Sequence, residues 1–107
     1  MPVYNKLVRD RIPEIIENDG KKCSTKILDE ESYLSELRKK VHEELQEYEE
    51  ASSDIEAVEE LADILELIHA LAKTHNATIE EVERIRAEKA VKRGGFNDKI
   101  FLIEVED

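Results

Sequence analysis

Apolar positions recur at helical steps through most of the chain and form short dense runs near its two ends. Leu34, Leu37, Val41, Leu45 and Tyr48 follow one another at three- and four-residue intervals, which predicts an amphipathic helix from near Asp29 to about Ala51. Ser52-Ser53-Asp54 ends it. Ser53 with Glu56 three residues on is a capping box, so a second helix begins there and runs to about Lys73. The short turn makes the two helices antiparallel neighbours. Thr78 with Glu81 repeats the box and opens a third helix to about Lys92, stopped by Gly94-Gly95. Upstream, Ile12-Pro13-Glu14-Ile15-Ile16-Glu17 predicts a short helix with proline in its first turn and Gly20 at its end. Cys23 to Leu28 fits a short strand or an extended connector. Ile100 to Val105, IFLIEV, has strand composition and is expected in a small sheet or packed over the helices. The expected class is all-α: an antiparallel helical bundle with short extended N- and C-terminal segments.

Length and charge narrow the possibilities. A chain of 107 residues makes one domain, small enough for a partner subunit to supply much of its buried surface. Sixteen Lys plus Arg against 27 Asp plus Glu give a net charge of −11, which argues against a nucleic-acid polymer as partner. The single Cys23 forms no intramolecular disulfide, and no apolar run approaches a membrane span or a secretory signal. A soluble, cytoplasmic protein with no membrane partner is expected. The acidity is uneven: residues 1–28 carry a net +2, residues 29–66 a net −12, and residues 67–107 a net −1.

The acids of the middle third do not all sit where a solvated face would put them. At about 100° per residue, Glu44 falls inside the apolar stripe of the first long helix, Glu47 at its edge, and Glu43 well to the side. On the second helix Glu60 falls between Leu67 and Leu71, and Asp63 between Ala70 and Leu67. That helix is apolar around most of its circumference, which predicts contacts on two sides and a subunit interface. Glu44 and Asp63 are equidistant in sequence from the predicted turn, as are Glu47 and Glu60. An antiparallel hairpin therefore brings four carboxylates to one place. Burying four anions together is unfavourable without a positive partner. A set of oxygen ligands without His or Cys favours Mg²⁺, with Mn²⁺ as a substitute. His42, His69 and His75 are too dispersed in the helical pattern to form a ligand set.

EELQE (Glu43 to Glu47) and ELAD (Glu60 to Asp63) resemble the EExxE and ExxD motifs of the all-α nucleoside triphosphate pyrophosphohydrolases. This is the MazG-like superfamily that includes phosphoribosyl-ATP pyrophosphohydrolases. YNKLVRDRIPEII (Tyr4 to Ile16) and KRGGFNDKIFL (Lys92 to Leu102) look like the flanks of one small, single-domain branch. The resemblance implies hydrolysis of a nucleotide substrate to the monophosphate and pyrophosphate, in nucleotide-pool house-cleaning. It implies Glu44, Glu47, Glu60 and Asp63 as Mg²⁺ ligands, with Glu43 as a supporting or water-orienting acid. Glu43, Glu44 and Glu47 are the candidate catalytic acids. It also implies assembly from two or more subunits, a homodimer or a higher even-numbered oligomer.

The bases offer phosphate contacts. Lys6 and Arg9 near the N-terminus, and Lys89 with Arg93 four residues on, are candidates to neutralise a phosphate chain. Asn97 is a candidate hydrogen-bond donor to phosphate or sugar, although a loop asparagine is commonly a turn residue. Arg11, Lys92 and Lys99 are weaker candidates. Tyr48 and Phe96 could stack on a base, but a tyrosine on an apolar stripe is expected in the core. Two other functions stay open: a phosphoribosyl-ATP pyrophosphohydrolase of histidine biosynthesis, and a noncatalytic helical module for dimerisation.

Overall fold

The computed structural model describes residues 2–107 and contains four helices: α1 (Ile12–Asn18), α2 (Glu30–Glu50), α3 (Asp54–Thr74) and α4 (Ile79–Arg93). No strand occurs among the described residues. Local chemistry explains each boundary. Pro13 occupies the first turn of α1, where its missing N–H removes no helical hydrogen bond. Asp29 caps α2 by accepting from the Ser32 N–H at 2.8 Å, and that bond holds its carboxyl below the usual range. Ser53 and Thr78 cap α3 and α4 by accepting from the Glu56 and Glu81 N–H groups, each at 3.2 Å. The box at α3 is displaced by one residue. The Glu56 carboxylate accepts from the N–H and hydroxyl of Ser52, at 3.1 and 2.9 Å, instead of returning to Ser53. Gly94 ends α4 at a φ of +82°, a conformation that side chains with a Cβ avoid.

With 21 residues each, α2 and α3 are about 31 Å long and pack antiparallel as the principal tertiary contact of the chain. Their meeting faces bury Leu37 from α2 and Leu67 from α3, and Ala72 is buried towards the end of α3. The N-terminal segment lies against α2, where Lys6 and Leu7 meet Glu36, Lys39, Lys40 and Glu43 around a hollow of about 10 Å³. α4 touches α3 far less extensively than α2 does, and does not pack on α2.

Cys23 to Leu28 is a connector, one of the two forms expected. Two other expectations change here. Ile100 to Val105 joins no sheet and covers no helix: Ile100, Phe101, Leu102 and Ile103 are 73–88 % exposed. A strand needs a second strand for its backbone hydrogen bonds, and the described residues supply none. Tyr48 lies outside the core at 38 % exposure, with Leu45 beside it at 46 %, because both fall on a flank of α2 that α3 does not cover.

The chain as a whole is open. Its accessible surface is 10068 Å², whereas a compact monomer of 12.4 kDa exposes about 6,100 Å². The radius of gyration is 18.4 Å, against about 13 Å for a compact domain of this length.

Candidate metal centre

The α2–α3 hairpin delivers three of the expected carboxylates to one point. Glu44 and Glu47 lie one helical turn apart on α2, Glu60 faces them from α3, and one oxygen from each lies within 4.8 Å of the other two. Glu44 and Glu60 are half-buried, while Glu47 is exposed at the rim. Glu44 Oε2 and Glu60 Oε2 are both shielded from solvent, and neither has a hydrogen-bond partner. Shielded carboxylate oxygens in one cluster without a donor are costly unless a proton or a cation joins them.

Electrostatics reports the same conflict. The Glu44 carboxyl is pushed up to about 7, first by burial and then by the neighbouring carboxylates of Glu60, Glu47 and Asp63, which all favour its uncharged form. The sign for stability follows directly. The native state keeps a proton at Glu44 that the unfolded chain releases near its ordinary value of 4.5. This contribution to stability is therefore complete below about 4.5 and is lost as pH rises to about 7. Asp29, Glu56 and Glu83 are shifted down, so their contributions act in more acidic solution. In chelator, Tm is expected to fall between pH 5 and 7 in the parent chain and to fall less in Glu44→Gln. Scanning calorimetry across that range checks it, and identical slopes for the two chains would contradict the assignment.

Asp63 takes a different position. It stands close enough to Glu44 to raise its pKa, but its Oδ1 accepts from Arg9 Nη2 at 2.7 Å in a largely exposed ion pair. The expected fourth carboxylate is therefore held by a cation from the N-terminal segment. Arg9 thus reaches the rim of the cluster, and Lys6 shares a hollow with Glu43. Glu43 lies outside the convergent set and is exposed. The remaining candidates are elsewhere. Lys89 and Arg93 on α4 and Asn97 beyond it are exposed, and none is bonded to the cluster among the described residues. Arg11, which precedes α1, pairs with Glu14 in the first turn of that helix. The Arg9–Asp63 contact has no signal in the sequence, because it joins residues 54 apart that no local pattern relates.

The donor set fits a hard divalent cation. All donors are carboxylate oxygens, and they lie within 4.8 Å of one another, close enough for side chains that shift slightly to share one ion of the Mg²⁺ class. Arg9 beside Asp63 supplies one fixed positive charge at the edge and leaves the oxygens of Glu44 and Glu60 unmet. Glu44, Glu47 and Glu60 are the residues that could hold such a cation.

No protein family, no curated protein and no solved structure matches this chain.

Proposed function

We propose that the protein hydrolyses a nucleoside triphosphate, or a related nucleotide, to the monophosphate and pyrophosphate with Mg²⁺ as cofactor. The observation that carries this function is the convergence of Glu44, Glu47 and Glu60 with two shielded oxygens unpartnered. The resemblance of EELQE and ELAD to the MazG-like motifs supplies the reaction class, and the α2–α3 hairpin is the element on which those motifs would act.

Glu44, Glu47 and Glu60 would hold the ion, joined by Asp63 once Arg9 releases it. When bound, the ion supplies positive charge for phosphate oxygens and acidifies a coordinated water. The chain's own groups do the rest. Arg9, with the neighbouring Lys6, places positive charge where a phosphate chain would lie, and a guanidinium can grip two of its oxygens at once. Glu43, outside the convergent set, would serve as the supporting or water-orienting acid that the resemblance implies.

The test is pyrophosphate release from a panel of ordinary, deoxy and damaged nucleotides together with phosphoribosyl-ATP, in Mg²⁺ and in chelator. Metal-dependent release with one preferred nucleotide is the expected result. A preference for phosphoribosyl-ATP would move the protein to histidine biosynthesis. No release from any nucleotide by the folded protein would remove the hydrolase function and leave a helical interaction module.

A further inference from the structure

We propose that the outer face of α3 and the C-terminal segment are two halves of one self-association surface, with Ile100–Val105 of one copy lying along α3 of a second copy. The proposal is independent of the metal chemistry.

The first observation is the amount of uncovered surface. The excess over a compact monomer is about 3,900 Å² per chain. Obligate dimers remove about 1,000–2,500 Å² from each partner, so a second copy can account for the larger part of it. Among the described residues only Leu37, Leu67 and Ala72 are buried in the isolated chain, too few to hold 107 residues together alone. Cover is thus needed for folding itself. A second copy is the one occupant present wherever the chain is made.

The second observation is where that surface lies. Ile55, Val58, Leu61 and Leu65 are 49–76 % exposed on α3, and with Ala62 they form a stripe on the side away from α2. The stripe contains no charged residue, although the chain as a whole carries −11. Two such chains repel each other over most of their surface, and this uncharged face is where they can approach. Added salt should therefore strengthen the association.

The third observation is the match between the two parts. From Ile55 to Leu65 the stripe is about 15 Å long at the rise of an α-helix. From Ile100 to Val105 an extended chain covers about 17 Å. Ile100–Ile103 is apolar on both faces, so it needs cover on two sides and has none within its own chain.

The test uses the full chain in a Cys23→Ser background. One preparation carries Val58→Cys, and a second, distinguished by a tag, carries Ile103→Cys. Both substitutions keep a small apolar side chain, so the fold is retained. The two are mixed, unfolded and refolded together, and treated with a flexible bismaleimide. Light scattering on the parent chain should give at least twice 12.4 kDa, and the mixture should yield a covalent product of one tagged and one untagged chain. A folded monomer would overturn the proposal. So would an oligomer in which the mixed product is absent, and so would a single chain carrying both Val58→Cys and Ile103→Cys that links only within itself.

Discussion

Replacing Glu44 by Gln together with Asp63 by Asn abolishes metal-dependent pyrophosphate release and leaves the helical circular-dichroism signal in place. Both residues belong to the set proposed to hold the ion. Losing one group that merely supports a metal ligand already costs about 10–100-fold, so losing two direct ligands should cost on the order of 10³-fold or more. The stability of the metal-free protein should move the other way above pH 7. A neutral amide at position 44 removes the charge that burial and three neighbouring carboxylates oppose, and its NH₂ can donate to Glu60 or Glu47. The opposing loss, the Arg9–Asp63 ion pair, is largely exposed and worth at most about 1 kcal/mol. The variant without metal should therefore melt at or above the parent, and Mg²⁺ should no longer raise its Tm, whereas it raises the parent's by mass action. Turnover that survives the double change would remove these acids from the mechanism.

Leu37→Ala is expected to produce the largest loss of stability of any single change in the hairpin. Leu37 is only 2 % exposed and is packed where α2 meets α3. Truncating such a side chain costs about 2–5 kcal/mol, which is a large share of the 5–15 kcal/mol of a typical domain. A fall in Tm on the order of 10 °C or more follows. Ile27→Ala supplies the control, since Ile27 is 97 % exposed and surface truncations usually stay within about 0.5 kcal/mol. Thermal melts of the two variants decide the matter. An equal loss in both would mean that the α2–α3 contact is not where the stability resides.

Much of this architecture is legible in the sequence because its determinants are local. The caps at Ser53 and Thr78 act within three residues, and they place the starts of α3 and α4 directly. The period of Leu34, Leu37 and Val41 identifies the buried face of α2. With the turn located, equal spacing from it brings Glu47 opposite Glu60 without any knowledge of the rest of the chain. Where partners are distant, legibility ends. Asp63 shares the helical register of the cluster, yet its oxygen is taken by Arg9, and nothing near either residue signals that contact. The IFLIEV segment has the composition of a strand, but composition reports a preference for pleated, half-buried surroundings and does not supply them. Tyr48 fits the apolar period and still lies on an uncovered flank, because the period gives a direction on the helix and not the width of the neighbour that covers it. Lys89 and Arg93 share a helical face as expected, but α4 makes only a limited contact with α3 and brings neither to the carboxylates.

The α2–α3 pairing has a kinetic consequence. Residues 44, 47 and 60 are close in sequence as well as in space, whereas the Arg9–Asp63 contact must close a loop of 54 residues. Contacts of short sequence separation form early, because little chain entropy is lost in making them. The carboxylates thus come together while the hairpin is zipping, before the N-terminal arginine has reached Asp63 at their edge. A divalent cation present during synthesis would then accelerate folding itself, and chelation would slow refolding more than it hastens unfolding.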